Sequence, residues 1–353
     1  MKFRVLVVLF SVGLLGFATR RGPEPYPFPR LSFFPKMPVS ASNPVTMEGV
    51  ELGRYLFYDT ILSLRYDMSC ASCHKQEAAF SDAPHRFSKG NGGKLTRRNS
   101  MPLFNLAWYP TYFWDGRAAS LEDQVFHPVS DSNEMNLQWT LAVERIRKSR
   151  FYRPLFARAF KGRAPDSILI ANAIGQFLRT IISNRSKYDR VLDGDDYLTE
   201  AEFKGFVLVN DMTKGDCLHC HTSDGNALGT TGNFSNNGLD AVTQPGSYTD
   251  KGLGEATGRE RDHGRFKIPS FRNLAFTAPY MHDGRFQTLE QVIDFYSEGV
   301  HASANIDSKM GSAPYGGVHL SPEEKAQVIA FLLTMSDSAL TTDPRFGNPF
   351  LGQ

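Results

Sequence analysis

Cysteine is scarce, four in 353 residues, and Cys70 with Cys73 and Cys217 with Cys220 form two close pairs 147 positions apart rather than a disulfide framework. Charge of one sign is also lacking. With 39 basic against 37 acidic residues, the chain offers no polycationic surface to track a phosphate backbone, which excludes general nucleic-acid binding. Alternating strand patterns are scarce, and beyond the first 18 residues no apolar run is long enough to span a bilayer. The best candidate, residues 168–182, is interrupted by Asn172, Gln176 and Arg179 and reads as a helix capped by Asp166. A hydrophobic content of 41% excludes disorder, and the length accommodates two ordinary domains.

The N-terminus carries Lys2 and Arg4 before an apolar run over residues 5–17, with Gly16 and Ala18 at the positions a signal peptidase reads. At 13 residues the run falls short of a membrane span, so residues 1–18 read as a signal peptide. Cleavage removes two basic residues and leaves 37 against 37, a formally neutral mature chain without a membrane span. Residues 19–44 then hold Pro23, Pro25, Pro27, Pro29, Pro35 and Pro38, a stretch expected to run extended over the surface. Further helix starts are signalled by Thr199 with Glu202, and by Ser321-Pro322-Glu323-Glu324.

Both cysteine pairs belong to C-x-x-C-H motifs, Cys70-Ala71-Ser72-Cys73-His74 and Cys217-Leu218-His219-Cys220-His221. Two thiols at this spacing can add to both vinyl groups of one haem, and the adjacent histidine is placed to bind its iron. A thiol redox pair has no need of the fifth residue, and a zinc site would require the two pairs to converge. His219 reads as a bystander.

The chain also repeats. Asn105-Leu106-Ala107-Trp108, Tyr112, Trp114, Asp115-Gly116-Arg117 and Ser120-Leu121-Glu122 return 168 positions later as Asn273-Leu274-Ala275-Phe276, Tyr280, His282, Asp283-Gly284-Arg285 and Thr288-Leu289-Glu290. The fold expected is mainly α, with long loops: two cytochrome c-like haem domains related by internal duplication, at 45–190 and 191–340, followed by a tail at 341–353. The motifs are offset by 147 and the repeat by 168, so the second copy carries 21 extra residues, expected within 222–264.

In each copy a hydroxyl residue caps a short helix, with Asp123 or Gln291 as capping-box partner. The helices then diverge: Gln124, Pro128 and Glu134 stand against Val292, Tyr296 and Ala302. Positions four apart share a helix face, so Gln124 and Pro128 should face one point, as should Val292 and Tyr296. Tyrosine can ligate or cap haem iron, whereas proline has no donor atom, which leaves the first haem open beside a carboxylate able to shuttle a proton. By local context alone Glu134 is a solvated loop residue, and Tyr296 and Trp114 are core residues; the repeat is what points to function.

These motifs, with Ala79-Phe80-Ser81-Asp82 and the segment 266–284, resemble the bacterial di-haem cytochrome c peroxidases and the related MauG-type enzymes over roughly residues 45–336. The resemblance implies two covalently bound haem c groups, with His74 and His221 as proximal iron ligands and Tyr296 as a distal ligand. Glu134 would be the acid-base residue, Gln124 its pocket neighbour, and Trp114 the tryptophan between the haems. Asn99, Thr277 and Pro279 match positions that hold calcium between the domains, and an amide oxygen with backbone carbonyls suits that cation. Tyr296 stands where many peroxidases of the family carry methionine, as in MauG-type members. Asn91 stands where a blocking histidine is usual, with His85 close enough in sequence to replace it. MauG draws electrons through a surface tryptophan six residues before the second haem histidine; here that position is Gly215.

The activity expected is a periplasmic peroxidase that reduces hydrogen peroxide at the His74 haem, with electrons arriving through the His221 haem and Trp114 from a small cytochrome c or cupredoxin. A MauG-like oxidase acting on a partner protein or small donor is the alternative. A di-haem electron carrier needs both irons six-coordinate, which Pro128 and Gln124 argue against. A homodimer is compatible with the sequence.

Overall fold

In the computed structural model, residues 22–38, 40–222 and 227–351 are described, so the leader expected at 1–18 lies outside the described residues. Eleven α-helices are present among them: α1 (Met47–Tyr58), α2 (Cys70–Cys73), α3 (Leu121–Ser130), α4 (Trp139–Lys148), α5 (Tyr152–Ala159), α6 (Ser167–Thr180), α7 (Lys187–Asp193), α8 (Glu200–Asn210), α9 (Leu253–Thr257), α10 (Leu289–Asp294) and α11 (Pro322–Leu333). The only strands among the described residues are β1 (Phe234–Ser235) and β2 (Phe266–Lys267), an antiparallel pair. The helices start where hydroxyl or carboxylate side chains satisfy free N–H groups: Asp166 accepts from Leu169 N, and Thr199 and Ser321 each close a reciprocal box with Glu202 and Glu324. At α3 the box is displaced. Ser120 accepts from Asp123 N, but the Asp123 carboxylate accepts from Ala119 N, one residue early, whereas Thr288 and Gln291 close the full box.

Two bundles result. In the first, α1 packs across α6, and the core runs from Leu52 through Phe177 to Ile181. In the second, α8 packs across α11 around Val209, Val328, Phe331 and Met335. The crossings are built alike: a Cβ on Gly53 would lie 1.9 Å from the Ala173 carbonyl, and one on Gly205 would lie 2.0 Å from the Gln327 carbonyl. Only glycine lets these helices approach so closely. The repeated segments also make matching bonds. Asn105 and Asn273, both with positive φ, accept through Oδ1 from Ser183 N and Asp337 N, and the hydroxyls of Tyr112 and Tyr280 donate to the carbonyls of Leu106 and Leu274.

The chain ends do not stay with their own bundles. Ala227 N donates to Phe33 O and Trp108 Nε1 donates to Pro35 O, so the proline-rich segment touches both halves. The C-terminal segment from Leu340 on returns to the first bundle, where Leu340 and Phe346 join its core and Arg54 donates to the Pro344 and Gly347 carbonyls. No helix among the described residues is long and apolar enough to cross a membrane.

Candidate active site

The first C-x-x-C-H motif forms α2, so its thiols and imidazole project into one space. Cys70, Cys73 and His74 line a cavity of about 470 Å³, within the range of small-molecule and cofactor pockets. His74 Nδ1 donates to Phe80 O at 3.0 Å, which orients the ring and leaves Nε2 for the cavity. Burial lowers its pKa, so the ring is a neutral imidazole, the ligating form.

Gln124, Pro128 and Glu134 line the same cavity, from α3 and the turn that follows it. Pro128 stands inside α3, where it supplies no N–H and no side-chain donor. The Glu134 carboxylate has no hydrogen-bond partner among the described residues. Burial pushes its carboxyl up to about 7, Asp131 adds to the rise and Arg117 opposes it. Trp114 lines the cavity while 8% exposed, and its Nε1 donates to Asn99 O at 2.8 Å. Lys267, Pro269 and Ser270 of the second half complete the wall.

Sequence reasoning missed the support beneath Glu134. Asn91 N donates to Glu134 O at 2.7 Å, and a Cβ on Gly90 would lie 1.8 Å from the Asn133 carbonyl. Gly90 and Asn91 are thus a shelf for the Glu134 turn; the signal was a glycine in a segment of no other evident need for one. His85 points elsewhere: its ring is exposed and meets Asp82 Oδ1 at 3.1 Å, and it does not line the cavity.

At the second motif, Cys217 and Cys220 carry free thiols and His221 stacks on Phe271 at 4.0 Å. Burial pushes His221 down to about 4. Backbone groups of Gly229 and Pro269 lie near enough to oppose that shift, but among the described residues none meets the buried Nδ1 in hydrogen-bonding geometry. Tyr296 receives a hydrogen bond from Asn237 Nδ2 at 3.0 Å, and burial pushes its phenol up to about 12, with the Cys220 and Cys217 thiols close enough to contribute. The helix carrying it widens to a π-helix at Phe295–Gly299. Asn237 belongs to the segment 222–264 and closes over Tyr296. Asn99 Nδ2 donates to the His85 and Arg86 carbonyls, leaving Oδ1 without a donor among the described residues. The Thr277 and Pro279 carbonyls likewise meet no donor there.

The residues therefore fit haem twice: paired free thiols beside a buried neutral imidazole, one pair facing a cavity of suitable size. Comparisons agree. Residues 47–197 match the family model for di-haem cytochrome c peroxidase. The chain is 31% identical to the methylamine utilization protein MauG of Methylophilus methylotrophus, over 96% of this chain and 97% of that one. It is 33% identical to the cytochrome c551 peroxidase of Nitrosomonas europaea, over 74% and 76%. Among solved structures, a MauG-like protein associated with microbial copper homeostasis superposes with a TM-score of 0.82 at 34% identity, covering 92% of this chain and 99% of that one. The chain belongs to the di-haem cytochrome c peroxidase family, which includes MauG. It is an oxidoreductase of peroxidase type with two haem cofactors.

Proposed function

We propose a periplasmic enzyme that reduces hydrogen peroxide at the first site, with both haems held covalently: one by Cys70, Cys73 and His74, the other by Cys217, Cys220, His221 and Tyr296. Haem bound at these sites supplies the redox iron that peroxide and donor electrons require. The protein's own part is proton management. The Glu134 carboxylate takes a proton from incoming peroxide and returns it to the departing oxygen, Gln124 offers an amide on the same wall, and Pro128 keeps that face free of a competing donor. Trp114 provides an oxidisable indole between the sites, its Nε1 pinned to Asn99 O. The observation that carries this reading is the gathering of Glu134, Gln124 and Pro128 into the cavity of the first motif.

Calcium at Asn99, Thr277 and Pro279 is part of this reading, supported by oxygens that lack donors. The two haem domains are taken as 45–190 and 191–340. A small cytochrome c or cupredoxin is the donor by analogy with the family, and a homodimer belongs to the same reading. Tyr296 favours the second reading, a MauG-like oxidase of a partner protein. Against MauG's own relay, a Cβ on Gly215 would lie 2.4 Å from the Leu208 carbonyl, so no tryptophan stands there without moving the turn.

The test is the resting ferric spectrum with peroxide added before any reductant. A high-spin haem that reacts at once is expected. Two low-spin haems would overturn the open site and point to His85 or to an electron carrier.

A further inference from the structure

The two halves meet through a reciprocal pair of bonds. Asn99 N donates to His282 O at 2.8 Å, and Lys267 N donates to Trp114 O at 2.8 Å. Positions 99 and 267 are equivalent by the 168-residue offset, and so are 114 and 282, so each bond is the other with the halves exchanged. Arg98 lies over the Phe266 ring at 5.7 Å, and 98 and 266 are equivalent too. The interface is thus pseudo-two-fold, and any site built on it has an image.

The image of Asn99, Thr277 and Pro279 is Lys267, Tyr109 and Thr111. There the structure already holds a cation. Lys267 is 3% exposed, and its ammonium donates to the Thr111 carbonyl and, at 3.2 Å, to Thr111 Oγ1. The rings of Tyr109 and Phe234 face it at 5.3 and 5.0 Å. No carboxylate pairs with it among the described residues. A buried ammonium without an anion is costly, and neutral oxygens with ring faces are what offset that cost. Burial pushes Lys267 down to about 8, consistent with a cation held by neutral groups.

We propose that the interface carries two equivalent cation positions, filled differently: a divalent ion beside Asn99, and the tethered ammonium of Lys267 at the image. Backbone carbonyls and an amide or hydroxyl oxygen are hard, neutral ligands of the kind calcium takes, so shortening Lys267 to asparagine turns the image into a metal site. The first position rests on the calcium reading above; the second stands on the symmetry and on Lys267.

The experiment counts metal. Haem-loaded parent, Lys267→Asn and Asn99→Lys are saturated with calcium, freed of excess by gel filtration, and analysed by plasma mass spectrometry. Expected are one calcium per chain in the parent, two in Lys267→Asn and none in Asn99→Lys. A parent with one and Lys267→Asn also with one overturns the image position while calcium at Asn99 stands. A parent with none and Lys267→Asn with one does the reverse, and none in either overturns both. Should Lys267→Asn not accumulate, Lys267→Gln replaces it, and thermal unfolding is the second measurement. The amide variant should lose more of its midpoint on chelation than the parent does and regain the difference with calcium. Lys267→Met keeps only the Asn99 calcium and should respond to chelation no more than the parent does; a larger calcium response in Lys267→Met than in the parent would count against the proposal.

Discussion

Glu134 is the residue on which the chemistry turns. A carboxyl with its pKa raised to about 7 is protonated below that pH and ionised above it. Because the ionised form accepts the proton of peroxide, the second-order rate with peroxide should fall as pH drops through about 7. Glu134→Gln should lose about 10²- to 10⁴-fold in turnover, the range of general acid-base catalysis, and lose the pH limb with it. Stopped-flow rates from pH 5 to 9 on both proteins check this, and undiminished turnover in the variant would remove Glu134 from the mechanism. Tyr296→Phe should change the spectrum of the second haem alone, leaving that of the first. No spectral change would make Tyr296 a packing residue, its hydroxyl serving only Asn237.

At the scale of elements, the turn after α3 is held from below rather than by its own sequence. Gly90 touches the Asn133 backbone closely enough that a methyl group must displace it, and Asn91 N fixes the Glu134 carbonyl. Gly90→Ala should therefore lower the peroxide rate by at least about 10-fold through misplacement of a reacting group, with both haems retained. Haem content from the pyridine haemochrome spectrum, set against peroxide kinetics, separates this outcome from a folding defect. An unchanged rate would show that the shelf is not needed. The second helix departs from the first: it becomes a π-helix at Phe295–Gly299, whereas the first stays α through Pro128.

At the scale of the molecule, the halves are locked by Arg98, only 9% exposed, which pairs with Asp115 at 2.5 Å in its own half and with Asp250 at 2.7 Å and Glu255 at 3.1 Å in the other. Burial works against the charges on Asp115 and Asp250, yet the arginines beside them outweigh it and hold both carboxyls below the usual range. Depressed carboxylate pKa values contribute stability that is present above the unfolded values and lost as pH falls through the folded ones. Arg98→Ala should thus cost about 2 kcal/mol at pH 7, the loss of charge-assisted bonds to carboxylates that still keep Arg117 and Arg97, and less towards pH 3. Urea unfolding at both pH values measures it; an equal cost at both would mean that Arg98 acts through packing instead.

Much of this was legible in the sequence because it is locally encoded. The thiol pairs and their histidines are five-residue motifs, and the caps at Asp166, Thr199 and Ser321 are decided within one helical turn. The repeat from Asn105 to Glu122 returns at a fixed offset, so Pro128 against Tyr296 could be read by alignment of the chain with itself. Other features depend on segments far apart in the chain. Glu134 belongs to the cavity only because Gly90 and Asn91 come up beneath its turn, and Lys267 reaches the first half's cavity only because the pseudo-two-fold interface places β2 against Trp114. The C-terminal segment closes the first bundle because Leu340 and Phe346 find apolar surface there. Local codes determined the cofactor motifs, the helices and the repeat; long-range packing and burial, which no short window contains, decided how the halves meet and which carboxylate and which cation reach the site.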